Sequence, residues 1–182
     1  MGGYLDRGEL HEAAGAIVRE LGPQILGYLA SVVRDEEPAR EAFSRFCERL
    51  WIALPQFRRE SSVRTWAYRL AWNTVMSFLR EPFRKRARPL DDLPASREMA
   101  AVWSTHTRER VGQVDRLAAV RATLSPEDQT LLVLRYDRDL SWDEIAWILA
   151  AESGETVSSQ ALRKRFERLK QSLKQSLAAP AV

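Results

Sequence analysis

One cysteine and two histidines in 182 residues leave little from which to build a disulfide or a thiolate or imidazole metal site. Cys47 has no second thiol in the chain to pair with, and it follows Phe46 inside a helical apolar pattern, where a small buried hydrophobe is the expected role. His11 and His106 lie far from each other and from Cys47, so no metal-ligand spacing forms. No apolar run approaches the ~18 residues of a membrane span, and the N-terminus has no basic flank leading into an apolar stretch. A cytoplasmic protein without membrane insertion is therefore expected. Strand-like alternation is absent, as are internal repeats and low-complexity segments. No Ser/His/Asp arrangement, metal cluster or phosphate-binding loop is present, so the expectation is a protein without catalytic residues, cofactor or metal.

What the chain has is charge in blocks. The formal net charge is only +3, at 45% hydrophobic residues. Residues 57–90 nevertheless carry nine Arg and Lys against Glu60 and Glu81, and residues 157–177 carry six against Glu167 alone. The remainder is acidic. Two separated basic blocks suggest two footprints on a polyanion.

Periodicity along the chain is helical throughout. Leu10 to Leu21 and Pro23 to Val33 read as two helices separated by Gly22, with Asp35 to Pro38 as a short turn after them. From Ala39 to Leu54 the apolar positions Ala42, Phe43, Phe46, Leu50 and Ile52 recur, with Trp51 beside them, until Pro55 stops the run. A polar loop, Gln56 to Ser62, precedes a fourth helix ending near Arg80, before Pro82. Residues 84–110 have the composition of a linker, with Pro89, Pro94 and the Asp91–Asp92 pair. A helical stripe resumes at Val111, Val114, Leu117 and Ala118. The expected fold is all-α, with two small helical domains, 1–83 and 111–182, joined by a flexible linker, 84–110.

In the second of these, Ser125 and Ser141 stand at helix N-cap positions, with Pro126 at the first helical residue in one case and Glu144 three residues on in the other. Ile145, Ile148 and Leu149 supply the apolar face of a helix that a loop containing Gly154 ends. A basic helix follows from about Ser158. It places Leu162, Phe166, Leu169 and Leu173 on one face and Gln160, Arg163, Lys164 and Arg168 elsewhere. This is a helix-turn-helix pattern, whose second helix fits the DNA major groove: arginine can read guanine there and lysine can sit on phosphate. A helical hairpin with a solvated charged face has the same pattern.

The fourth helix offers two faces. Val63, Ala67, Leu70, Thr74 and Phe78 form a stripe that can pack on the preceding helices. Arg64, Tyr68 and Trp72, four residues apart, form another, with Asn73 and Arg80 nearby. Aromatics interleaved with arginines suit single-stranded nucleic acid, because any base can stack on the rings while guanidinium groups hold the backbone. Aromatics at helical spacing also suit a core. Trp66 reads as core, and spacing alone leaves Trp72 between the two.

The segment Phe57-Arg-Arg-Glu-Ser-Ser-Val-Arg-Thr-Trp-Ala-Tyr-Arg-Leu-Ala-Trp-Asn73 closely resembles the part of RNA polymerase sigma factors that melts and reads the promoter -10 element. Leu124-Ser-Pro through Leu140-Ser-Trp-Asp-Glu-Ile-Ala146 resembles their -35-reading domain. The order and separation of the two resemble the short extracytoplasmic-function (ECF) group of the sigma-70 family, which keeps regions 2 and 4. The likeness runs from about Ile25 to Leu173. It implies a transcription initiation factor that binds core RNA polymerase and promoter DNA, and ECF-like proteins are commonly held by an anti-sigma partner.

Carried onto this chain, the resemblance places Phe57 and Asn73 at a pocket for a flipped -10 base, with Arg58, Arg59, Ser61 and Ser62 in the surrounding loop and Arg64, Tyr68, Trp72 and Arg80 along the melting surface. Opening a stack costs a few kcal/mol, which a preformed pocket on a basic surface can offset. Ser159, Gln160, Arg163, Lys164 and Arg168 fall at the -35 contacts, and Glu41, Ser44, Arg45 and Glu48 on the helix that grips the polymerase clamp. Two departures stand out. The usual Asp-Leu-Val-Gln-Glu run on the clamp helix is here Glu41-Ala-Phe-Ser-Arg45, which reverses one charge, and the loop Ala151 to Val157 is about one residue longer than the pattern. The rival reading is an autonomous helix-turn-helix repressor or activator with an N-terminal sensing bundle. The arginine and aromatic face separates the two, since a regulator has no need to hold melted DNA.

Overall fold

A computed structural model describes residues 2–81, 123–153 and 157–178 of the chain. The described residues are helical, with no strand among them. The chain divides into two units, Met1–Val111 and Gly112–Val182. The expected linker, the Met99–Trp103 stretch, the stripe from Val111 to Ala118, Gly154 and the tail beyond Ala178 lie outside the described residues.

Unit 1 holds α1 (Gly2–Asp6), α2 (Leu10–Val33), α3 (Glu36–Ala53), a 3-10 turn at Leu54–Gln56, and α4 (Val63–Arg80). Helices α2, α3 and α4 pack on one another around Ile17, Ile25, Leu26 and Leu29 of α2, Phe43, Phe46 and Leu50 of α3, and Tyr68, Ala71, Val75 and Phe78 of α4. Tyr28 meets Tyr68 edge-on at 5.9 Å.

Gly22 and Pro23 do not divide the chain in two: α2 runs through both. A proline inside a helix costs about 3 kcal/mol, whereas a fully buried aliphatic side chain contributes ~1.5 to 3 kcal/mol. Ile17, Val18 and Leu21 before the proline, and Ile25, Leu26 and Leu29 after it, are all buried, so packing on both sides outweighs the local break. The expected turn at Asp35 to Pro38 also shortens. Arg34, in the left-handed region at φ 66°, closes α2, and α3 begins at Glu36 with Pro38 inside its first turn, where a missing N–H is harmless. Ile52 leaves the expected apolar stripe and is 71% exposed.

Unit 2 holds α5 (Pro126–Leu132), a π-helical turn at Val133–Asp137, α6 (Trp142–Ser153) and α7 (Ser159–Ala178). Both expected caps form. Ser125 Oγ accepts from the Asp128 N–H at 3.1 Å. Ser141 Oγ accepts from the Glu144 N–H at 3.3 Å, while Glu144 Oε2 accepts from the Ser141 N–H at 2.9 Å, a closed capping box. Leu131, Leu134, Ile145 and Ile148 are fully enclosed, and Leu162, Phe166, Leu169 and Leu173 of α7 are buried. Arg135 donates to the Leu140 carbonyl at 2.9 Å and lies 5.2 Å from the centre of the Trp142 ring, which meets Phe166 at 5.5 Å. The turn between α5 and α6 is thereby tied to α7's buried side.

Candidate nucleic-acid interface

In unit 1 the basic surface starts at the loop 57–62. The Phe57 N–H bonds to the Leu54 carbonyl at 3.1 Å, which turns the chain out of the 3-10 segment. Arg58 and Arg59 stand exposed beyond it, and Arg59 is in the left-handed region at φ 60°. Ser61 is half-buried. Ser62 ends the loop as the N-cap of α4: its Oγ accepts from the Thr65 N–H at 3.0 Å and lies 2.7 Å from Thr65 Oγ1. Those bonds occupy Ser62 with helix initiation.

Helix α4 presents a different face from the one expected. Tyr68 is fully buried and Trp72 is 4% exposed, so neither ring is open to a base. Of the expected packing stripe, Val63 and Leu70 are only half-buried. Trp66, expected in the core, is instead half-exposed and packs on Phe57 with ring centroids 4.9 Å apart. Two positions turn an α-helix by about 200°, so shifting the contact residue from Tyr68 to Trp66 exchanges the dry face for the wet one. Trp66, Arg69 and Asn73 fall three and four residues apart along the wet side, which ends at the exposed Arg80. Burial lowers the pKa of Arg69, with the Glu60 carboxylate opposing that effect. The Asn73 Oδ1 is enclosed and has no hydrogen-bond partner among the described residues. Arg64 is half-buried.

The proposed clamp-gripping residues are largely turned inward. Ser44 is buried, and its hydroxyl donates to the Arg40 carbonyl at 3.0 Å. Arg45 bridges Glu41 and Glu81, each at 2.6 Å, and lies 5.2 Å from the Phe78 ring centre. Burial works against the guanidinium's charge, but hydrogen bonds and charge from Glu81 and Glu41 outweigh it and hold its pKa above the ordinary arginine value. The reversed charge is thus neutralised within the fold by two carboxylates, one of them 36 residues away. Glu48 is half-buried. Arg45→Glu should therefore destabilise unit 1 by about 1 to 2 kcal/mol, between the values for exposed and buried ion pairs, because three carboxylates would then crowd one site. A thermal melt unchanged from wild type would contradict that internal role.

Cys47 behaves as expected of a small core residue: it is buried, and desolvation pushes its thiol well above the usual value, with Glu48 adding to the effect.

In unit 2, Gln160, Arg163, Lys164 and Arg168 are exposed on α7, opposite its buried stripe. Arg165, between them, is committed to Asp128 of α5 at 2.7 Å. Ser159 is half-buried, and its hydroxyl donates to Oδ1 of Asp143 in the first turn of α6. Asp128, Asp143, Glu81 and Trp66 are the residues that sequence reasoning missed. For the three acids no local pattern marks the partner; for Trp66, the Phe57 nine positions earlier was the available signal.

An all-helical protein with an arginine-rich aromatic face on one unit and a basic helix-turn-helix on the other belongs to the nucleic-acid-binding class. Residues 17–86 match the family described as Sigma-70 region 2. The chain is 29% identical over 152 residues to RNA polymerase sigma-H factor of Pseudomonas aeruginosa, covering 78% of this chain and 77% of that protein. It is 25% identical over 133 residues to RNA polymerase sigma factor YlaC of Bacillus subtilis, covering 73% and 77%. Over these spans the chain is similar to RNA polymerase sigma factors of the sigma-70 family.

Proposed function

We propose that this chain is a transcription initiation factor that binds core RNA polymerase and directs it to promoters, reading the -35 element with α7 and opening the -10 element with the loop 57–62 and the wet face of α4. In this reading residues 1–83 form the region 2-like domain, 84–110 the linker and 111–182 the region 4-like domain. The observation that carries it is the Phe57–Trp66 pair beside Arg58 and Arg59, within the span that matches sigma-70 region 2. Half-exposed rings next to exposed guanidinium groups are what a melted strand needs, a stacking platform and backbone neutralisation together. Such a protein needs no catalytic centre of its own, because polymerase performs the chemistry. Among the described residues no helix is long and apolar enough to cross a membrane. An anti-sigma partner remains part of the same proposal.

The test is reconstitution. The purified chain with core polymerase should yield transcripts from a promoter that core alone ignores. The free chain should bind duplex only weakly, since a tether of linker length gives its two modules a modest effective concentration until polymerase fixes their spacing. Moving the -35 and -10 elements apart by a few base pairs should then abolish holoenzyme binding and leave the weak binding of free chain almost unchanged. Strong, spacing-dependent binding by free chain would favour the autonomous regulator.

Arg163 and Lys164 should differ in kind. Arg163→Ala should relax base preference at one -35 position by about 1 to 3 kcal/mol if the guanidinium is bidentate on guanine. Lys164→Ala should weaken binding evenly across sequences and shallow its salt dependence. Unaltered selectivity in the double variant would remove α7 from the contact.

A further inference from the structure

Ser159 is the first residue of α7, the end from which a recognition helix reaches base edges. Its hydroxyl donates to Oδ1 of Asp143 at 2.5 Å. The hydroxyl is the donor in that bond and the carboxylate oxygen the acceptor. The length falls among the short, charge-assisted O–H···O⁻ bonds. A hydroxyl has a single proton. With that proton held by Asp143, Oγ can offer an incoming group only its lone pairs.

Its neighbours on the exposed side have the opposite character. Arg163, Lys164 and Arg168 carry donors alone, suited to phosphate and to the acceptor-rich edge of guanine. We propose that Ser159 is a specificity-determining residue that selects a base with an exocyclic amino group in the major groove, adenine or cytosine, and that Asp143 is the positioning residue that commits its proton. This rests on the reading of α7 as the -35-reading helix. Adenine N6 and cytosine N4 are the major-groove donors, while guanine and thymine meet the same spot with O6 and O4 acceptors. An acceptor-only Ser159 bonds to the first pair and opposes the second, and the exposed Asp143 carboxylate beside it adds like-sign repulsion against those oxygens.

The experiment uses holoenzyme assembled from the full chain and core polymerase, incubated with duplex DNA randomised across the -35 element, with the bound pool sequenced. Wild type should enrich adenine or cytosine on one strand at one position by about three- to tenfold, the worth of one net hydrogen bond. Ser159→Ala and Asp143→Ala should each level that position while leaving positions that depend on Arg163 unchanged. Ser159→Thr, which keeps the hydroxyl, should retain the preference. If the Ser159–Asp143 bond only ties two helices together, both alanine variants will lower affinity evenly and keep the wild-type base profile, and that result overturns the proposal. Persistence of the adenine or cytosine preference in Asp143→Ala overturns the positioning role. A pool with no -35 preference for any protein, Arg163→Ala included, overturns the reading of α7 itself, whereas intact Arg163-dependent positions beside an unmoved Ser159 position overturn this inference alone.

Discussion

Trp72→Ala is expected to lower the stability of unit 1 by about 3 to 5 kcal/mol, the usual result of emptying a buried indole site. Trp72 is 4% exposed on the face of α4 that also buries Tyr68, Ala71 and Val75, and the walls of such a site close only in part. Domains of this size are stable by ~5 to 15 kcal/mol, so the loss removes a large share of the total. The unit's melting temperature should fall by more than about 10 °C, on the scaling of ~4 to 8 °C per kcal/mol for small domains. Trp72→Phe should cost less, since it keeps most of the volume and deletes an indole N–H that has no acceptor among the described residues. Hydrogen exchange resolved by peptide is the measurement, because it separates α2 to α4 from unit 2. Protection retained in α4 of Trp72→Ala, alongside lost promoter opening, would return this ring to the DNA surface.

That result bears on how far the sequence could be read. Caps were legible because their chemistry is local: Ser125 meets Asp128, and Ser141 meets Glu144, within a single turn. The amphipathic stripe of α7 was legible for a similar reason, since Leu162, Phe166, Leu169 and Leu173 recur at helical spacing and leave one choice of face. Helix α4 offered several. Trp66, Tyr68 and Trp72 can be sorted into core and surface in more than one way, and the deciding contact is Tyr28 of α2, 40 positions from Tyr68 in sequence. The break expected at Gly22–Pro23 failed likewise, as a local preference set against core packing on both sides.

Within the site, residue types were legible and their engagements were not. Phe57, Arg58, Arg59, Asn73, Arg163 and Lys164 all lie where some solvent reaches them, on the loop or the wet faces of α4 and α7. Arg45 is the contrary case. Its place on α3 suggested an outward contact with a partner, but Glu81 at the end of α4 supplies a carboxylate that no spacing rule could foresee. Long-range ion pairs carry no periodic signal. The same holds for Asp128 with Arg165 and for Asp143 with Ser159, so the orientation of α7 was hidden although its basic face was plain.

The second large effect concerns opening of DNA. Trp66→Ala should reduce open-complex formation by roughly ten- to a hundredfold while leaving closed-duplex binding within about twofold, since a base stacked on an aromatic ring contributes ~1 to 3 kcal/mol and only an unstacked base can make that contact. Phe57 would lose its ring partner at 4.9 Å in the same variant, so both walls of the platform go together. Trp66 is half-exposed, and its removal should cost the fold much less than that of Trp72. Asn73→Ala should act in the same direction more weakly, because it removes an enclosed acceptor, Oδ1, that has no protein partner among the described residues to leave stranded. Permanganate footprinting of holoenzyme on a promoter measures the bubble, and filter binding at low temperature measures the closed complex. The contrast between the two tryptophans decides the matter: Trp66→Ala should stay folded and fail to open, while Trp72→Ala should lose both properties together. An unchanged bubble in Trp66→Ala would show that opening depends on another face of the protein.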